Sequence, residues 1–464
     1  MNIYIPMEIK AREFEGRGLL ALVAAERGHT VVFGGKEDTQ DLARRGSLPC
    51  GIVHLKSIEP SPYTIGLLSD LSQNGHLISV QDEENGLLDE SYSRFAEARF
   101  SEETVSKASR VFAWGDHDAE SLRNEYEHCC DRIISTGSPR VDFWRKEFDS
   151  YYGKNASPAD ARLEPYILVV SNFGMPLNEN RFWNVIAHAR ASGSYERDPQ
   201  SEYLTYDRVA YLYRLLGQFV LMVRALATSC PSVTILVRPH PIESVDGWAK
   251  LIGDYGNTVV AREGTISGWI RRATLIIHNG CTSGLEAAVC GVPRIAYRPI
   301  PSQYENVVPN RVSSEAFSLD QLQEMVGCIL SGDKVPGSEA VDSVAKEILE
   351  HRFANLNGEL AADRMVKQWE AVAASGETEQ ISVNRLLSNA GQRSIRARVA
   401  RARRSVLSRR SKPQKPGFLT AHKFPGLEES EMIELHDKLQ RSLDRFHAVR
   451  IKRFGRRAFV LFSK

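Results

Sequence analysis

The sequence predicts an α/β protein of two doubly wound domains, each a parallel sheet covered by helices, followed by a basic helical extension. Three observations carry that prediction. Short apolar, β-branched runs alternate with amphipathic stretches and no hairpin turn separates them, the pattern of parallel strands joined by crossover helices. The alternation occurs twice, on either side of the polar, Pro-containing stretch "DSYYGKNASPADARLEP". At 464 residues the chain also exceeds what one ordinary core accommodates. The first domain is therefore placed at 1–150, a linker at 151–165, the second domain at 166–375 and the extension at 376–464.

The elements follow in order. "NIYIP" is a buried strand, "GRGLLALVAAERG" a helix stopping at Gly28, and "HTVVFGG" the next strand. "GIVHL", "HLISVQ", "RVFAWG" and "RIISTG" continue the set, with "YTIGLLSDLSQNG" as a crossover helix. After the linker come the strand "YILVVSNFG", the long amphipathic helix "DRVAYLYRLLGQFVLMVRALATSC" and the strand "VTILVRPHP". "TVVAREG", "TLIIHNG" and "VPRIAYRP" add strands, with "ISGWIRRA" and "TSGLEAAVCG" as helices between them. In the extension, residues 393–412 hold nine basic residues and no acid. Ile395, Val399, Ala402 and Val406 form one apolar stripe on that helical pattern. "FPGLEESEMIELHDKLQRSLDRF" is a further helix before a basic, strand-like end.

Composition excludes several classes. Hydrophobic residues make up 42% and charged residues 25%, with a net charge of +1, so no partner is implied by overall charge. The seven cysteines are odd in number and include no CxxC, which argues against a disulfide framework and a zinc site and fits a reducing cytoplasm. "MNIYIPMEIK" has no basic n-region or cleavage pattern, and no apolar run is expected to reach the roughly 18 residues that span a bilayer. GxGxxG and Walker patterns are absent, against a Rossmann dehydrogenase or P-loop NTPase. Asp116-His117-Asp118 precedes a helical pattern, so one Asp is expected to cap it and the other to face its dipole, without binding metal.

Ligands of doubly wound sheets bind at the C-terminal ends of the strands, and the informative stretches fall there. In "VRPHP" two prolines restrict His240, and Arg238 stands beside it, an arrangement suited to a diphosphate or nucleotide phosphate. In "HNGCTSGLEA" the turn at Asn279 and the hydroxyls of Thr282 and Ser283 lie at a helix start, a place for phosphate. The competing reading there is a capping box of Ser283 with Glu286. "QDEENG" sets Asp82, Glu83 and Glu84 side by side. Their repulsion can raise one pKa and yield a general acid or base; the alternative is a solvated acidic loop.

These motifs, in this order, resemble the GT-B glycosyltransferases of bacterial surface carbohydrate biosynthesis, in the branch of capsule and lipopolysaccharide Kdo transferases and bacterial sialyltransferases. The resemblance rests on "AREFEGRGLLALVAAERGH", "QDEENG", "VFAWG", "STGSPRVDF", "LVRPHPIE", "GWIRRATLIIHNGCTSGLEAAVCGVPRIAY" and "HKFPGL". It implies two Rossmann-like domains facing a cleft and a nucleotide-activated sugar donor, often CMP-linked, with neither cofactor nor metal. The donor phosphate would meet His240, Thr282 and Ser283, with Arg238, Asn279 and Glu286 nearby, while Glu83 or Glu84 of the acidic loop would be catalytic. Arg12, Glu13 and Arg140 would face the cleft on the acceptor side. The chain departs from the sialyltransferase pattern, which has an acidic residue, Asp and Gly where this sequence reads "EENG". The expected activity is transfer of a Kdo-like or other nonulosonate sugar to a growing glycan or lipid-linked acceptor, retaining or inverting. Residues 393–412 would rest on anionic lipid at the inner face of the cytoplasmic membrane, and no nucleic-acid partner is expected. The alternatives are a CDP-polyol phosphotransferase of teichoic-acid type, a UDP-sugar 2-epimerase and a non-catalytic partner in glycan biosynthesis.

Overall fold

The computed structural model describes residues 1–84, 92–153, 163–178, 182–191, 195, 199–374 and 424–463, and these form two compact units. The first begins with β1 (Asn2–Met7), α1 (Lys10–Glu26), β2 (Thr30–Gly35), β3 (Ile52–Leu55), α2 (Pro62–Gln73), β4 (Leu77–Gln81), β5 (Arg110–Ala113), α3 (Asp116–Glu125) and β6 (Ile133–Ser135). These strands run parallel in the order β2-β1-β3-β4-β5-β6. All six residues of β1 are buried, as a parallel strand covered on both faces requires. Local signals set the helix starts: Ser61 accepts the N–H of Thr64 ahead of α2, with Pro62 at its first position. The cap expected from Asp116 or Asp118 is instead Gly115. Both acids lie in the first turn of α3, and Asp118 is buried with Arg352 3.7 Å away.

The second unit contains β7 (Tyr166–Val170), α4 (Pro199–Ser229), β8 (Thr234–Arg238), α5 (Val245–Ile252), β9 (Thr258–Val260), α6 (Ile266–Arg272), β10 (Leu275–His278), α7 (Thr282–Cys290), β11 (Arg294–Tyr297) and β12 (Ser314–Ala316). Its sheet is parallel throughout, in the order β12-β11-β10-β7-β8-β9. Contrary to expectation, α4 is long and apolar enough to cross a membrane by length and composition. Half of its most apolar window is nevertheless buried, and Leu215, Phe219, Val223 and Leu226 pack into the core of this unit.

The chain then returns to the first unit through α8 (Ser338–Arg352), followed by α9 (Ala361–Ala373), α10 (Glu429–Leu443), β13 (Val449–Phe454) and β14 (Ala458–Ser463). This corrects the expected boundaries. The second unit ends at Leu349, not 375, and the stretch from Glu350 onward belongs with the first. The physical reason is a buried polar latch. Leu360 offers α9 no side-chain cap, and Asp142 supplies one from outside. Its carboxylate accepts the N–H groups of Ala361 (2.9 Å) and Ala362 (3.2 Å) and the amide of Asn355 (2.6 Å). Trp369 of α9 donates to Ser79 of β4 at 2.9 Å.

The extension is likewise not helical alone. β14 pairs antiparallel with β2, and β13 with β14, so the first sheet has eight strands. Phe459, Val460 and Leu461 are fully buried, which explains why this basic-looking end joins a core. Arg450, Lys452 and Arg453 are exposed on edge strand β13, where charge opposes further strand addition. The basic stretch 393–412 lies outside the described residues.

Asp142→Ala strands three buried donors. It should lower the unfolding free energy by about 2–4 kcal/mol in chemical denaturation. Asp142→Asn, which keeps the bonds from Asn355 and Ala361, should cost less.

Candidate functional site

In the first sheet the chain runs outward from β1 to β2 and then returns to β3 on the other side of β1. The C-terminal ends of β1 and β3 therefore flank a topological switch point, where doubly wound sheets bind ligands. A pocket lies there. Arg12, Glu13 and Arg17 of α1 line it with His54 of β3, Gln81 and Glu83 at the end of β4, and Ser138 to Arg140 beyond β6. Gly16 allows the last of these to approach, since a Cβ at that position would stand 3.0 Å from the backbone nitrogen of Arg140.

Arg17 is only 2% exposed. Its Nε donates to Glu83 at 2.9 Å, and its Nη1 to the carbonyl of Pro6 at 2.6 Å and more weakly to that of His54 at 3.4 Å. Nη2 is buried without a hydrogen-bond partner. Glu13, one turn earlier, accepts the N–H groups of Glu8 (2.9 Å) and Ile9 (3.0 Å), one on each oxygen. Burial raises its pKa; Arg17 opposes the rise and Glu83 adds to it.

The acidic loop differs from the expected cluster of repelling carboxylates, because each acid faces its own arginine. Asp82 is buried against Arg99 (2.9 and 3.2 Å) and accepts the N–H of Glu84; burial raises its pKa, with Arg99 pulling the other way. Glu83 pairs with Arg17 inside the pocket. Glu84 is exposed and paired with Arg12. Burial works against its charge, but Arg12, Arg99 and Lys56 outweigh that and lower its pKa. Asn85 and Gly86 lie outside the described residues.

In the second unit the switch point falls between β7 and β10. The segments at it are Ser171 to Gly174 after β7 and Asn279 to Thr282 after β10, with His240 one strand away after β8. What holds His240 is a buried carboxylate as well as its prolines. Glu243, fully buried, accepts from the Ser171 hydroxyl, the N–H groups of Phe173 (2.7 Å) and Gly174 (2.9 Å), Trp248 Nε1 (3.1 Å) and, at 3.4 Å, the N–H of His240. The N–H of Ile242 donates to His240 Nδ1 at 3.3 Å, which leaves the ring proton on Nε2 as a donor.

Two expectations for this unit change. Arg238 does not stand open beside His240. Its guanidinium donates to the carbonyls of Glu263 and Gly264 and lies 5.8 Å from the Trp269 ring, which fixes the loop after β9. The capping box of Ser283 with Glu286 does not form, because α7 starts at Thr282 and its cap position is Cys281, without a side-chain cap bond. Ser283 and Glu286 are both buried, and Asn279 Oδ1 is buried without a partner. At the end of β10, His278 accepts the Gly280 N–H on Nδ1 and meets Ser313 Oγ at 2.9 Å through Nε2. Burial, then Arg294, depresses its pKa to about 3, so it is neutral. A Cβ at Gly284 would collide with this ring at 2.6 Å, which lets only glycine sit there.

Sequence reasoning passed over Glu243, Arg17, His54 and His278. Arg17 had a visible sign, its i,i+4 spacing from Glu13. Glu243 had none, because three of its partners, Ser171, Phe173 and Gly174, lie about 70 residues earlier in the chain.

Two parallel, doubly wound units of this kind define the GT-B class of fold. Among solved structures the chain is similar to a protein from Listeria monocytogenes assigned as a UDP-N-acetylglucosamine 2-epimerase, with 14% identity, a TM-score of 0.51, and coverage of 82% of this chain and 99% of that one. It is also similar to the UDP-GlcNAc 2-epimerase from Neisseria meningitidis bound to UDP-GlcNAc, with 12% identity, a TM-score of 0.50, and coverage of 80% and 100%. At such identity the likeness establishes the fold, and neither neighbour is a Kdo or sialyl transferase. No family model and no curated protein matches the chain.

Glu8, just after β1, ties together the segments following β1, β2 and β3 by pairing with Lys36 (2.6 Å) and Lys56 (3.0 Å). Burial alone would raise its pKa, but the two lysines hold it at about 2. A lowered folded pKa contributes stability above the unfolded value of about 4.5 that is lost as pH falls toward 2. The pair is partly solvated, so Glu8→Gln should destabilise by less than about 1 kcal/mol at pH 7. In denaturation curves run across pH, that difference from the wild type should disappear by about pH 2.

Proposed function

We propose that this protein is an enzyme acting on a nucleotide-activated sugar, with the nucleotide phosphates held at the strand ends of the second unit and proton transfer carried out by carboxylates of the first. The observation that carries the reading is His240. It is fixed by Glu243 and two prolines, the Ile242 N–H on its Nδ1 places the ring proton on Nε2, and it follows β8 beside the switch point, where the uncapped start of α7 adds backbone donors. A UDP-linked N-acetylhexosamine is the first substrate to test, because the GT-B neighbours are UDP-GlcNAc 2-epimerases and one was solved with UDP-GlcNAc. Epimerisation at C2 breaks the C2–H bond and forms a new one on the opposite face. It needs groups that take and return a proton, for which Glu83 and Glu13 stand together around Arg17.

The second reading is transfer of a CMP-linked nonulosonate to a glycan. The acidic loop supports it, since Glu83 lines the pocket and would serve as the base that deprotonates an acceptor hydroxyl. One experiment separates the two. Incubated with UDP-GlcNAc in D2O, a 2-epimerase incorporates deuterium at C2, seen as loss of that proton's NMR signal. A transferase leaves C2 unchanged and consumes CMP-sugar only when an acceptor is supplied. Under either reading His240→Ala should weaken nucleotide binding about tenfold or more by calorimetry. Glu83→Gln should keep nucleotide affinity and lose about 100-fold or more in turnover. Normal nucleotide binding by His240→Ala would remove the basis of the reading.

A further inference from the structure

We propose that the switch-point pocket of the first unit binds an anionic oxygen group, a phosphate or a carboxylate, on a second substrate, and that Arg17 is the residue that reads it. The inference rests on the transfer reading above, in which the acceptor is the second substrate; a 2-epimerase has none.

Donors and acceptors around Arg17 do not balance. A guanidinium has five N–H donors. Nε of Arg17 is used by Glu83 and Nη1 by Pro6 and His54, but Nη2 is sealed from solvent with no acceptor. Buried polar atoms without partners are rare, and those that occur call for a cause such as a ligand position. The neighbouring carboxylates are already engaged. Glu13 receives an N–H on each oxygen, Glu83 receives Arg17 Nε, and Glu84 receives Arg12. Arg12 and Arg140 line the same pocket and add positive charge to it. What complements it is an oxygen-rich anion that accepts several charge-assisted bonds at once. A neutral polyol lacks the charge that a buried guanidinium calls for.

The test uses the full chain and compares thermal midpoints, and then calorimetric affinities, for inorganic phosphate, gluconate and the neutral polyol glucitol. The expected result is stabilisation by phosphate or by gluconate but not by glucitol, and the better of the two anions identifies the source of the charge. Arg17→Lys keeps a cation beside Glu83 and removes Nη2, and it should weaken the anion about tenfold while leaving UDP or CMP binding as in the wild type. His240→Ala should retain the anion, which separates this pocket from the phosphate position of the second unit. If Arg17→Lys does not fold, Arg140→Gln replaces it with the same expected loss.

The inference is overturned if neither anion stabilises the wild type, if glucitol binds as well as the anions, if the Arg17 variant binds them undiminished, or if His240→Ala abolishes them. Nucleotide binding without anion binding would sink this inference and spare the sugar-nucleotide reading. Anion binding without nucleotide binding would do the reverse.

Discussion

Each unit depends on one ion taken out of water. In the first it is Arg17, a guanidinium that is 2% exposed at the end of the central strand. A charge so placed is tolerated only where fixed dipoles and counter-charges replace water. The groups that do so are the carbonyls of Pro6 and His54 and the carboxylate of Glu83. They belong to the ends of β1, β3 and β4, so solvating one side chain sets three strand ends against α1. In the second unit the ion has the opposite sign. Glu243 gathers the segments after β7 and β8 onto one carboxylate, using four N–H groups and a hydroxyl.

Such ions bring more order than stability. Replacing a buried ion and all its partners by packed hydrocarbon often leaves stability unchanged or raises it, whereas removing a single partner is costly. The presence of Arg17 and Glu243 is therefore better explained by what they position than by how tightly they hold the fold. Arg17 places Glu83 in a pocket. Glu243 places the His240 backbone, and the ring's own bond with Ile242 decides which nitrogen carries the proton. In both units a buried charge spends its partners on the loops at the ligand end of a sheet.

Most of the fold was legible in the sequence because parallel strands buried on both faces read as continuous apolar runs, as in β1 and β10. The failures have a common cause. The return of α9 to the first unit depends on Asp142, which lies 219 residues before the amide it caps, and no local pattern reports a cap of that kind. The basic, strand-like end is indeed a pair of strands, but nothing local reports that apolar β14 pairs with β2, more than 400 residues earlier in the chain. His240, Thr282 and the acidic loop do lie just after strands, as the sequence implies, because strand ends are recognisable. The competing capping box does not form because a Ser with Glu three residues later is equally compatible with a helix starting two residues earlier, at Thr282. Arg238 was misjudged because its true acceptors are backbone carbonyls, which carry no sequence signal.

The acidic loop shows how three adjacent carboxylates can acquire different chemistry without repelling one another. Separate arginines divide them: Arg99 takes Asp82, Arg17 takes Glu83 and Arg12 takes Glu84. Asp82 is buried away from the pocket, and its bonds to Arg99, the Glu84 N–H and, through its carbonyl, Trp114 give it the work of shaping the loop. Glu84 is exposed, and its lowered pKa makes it a poor proton carrier near neutrality. That leaves Glu83, and it shares Arg17 with Glu13, whose pKa burial raises. Two carboxylates thus sit on one cation in one pocket, and burial raises the pKa of one of them, Glu13. The cation keeps the pair from expelling one another, and any ligand that approaches Arg17 must alter both.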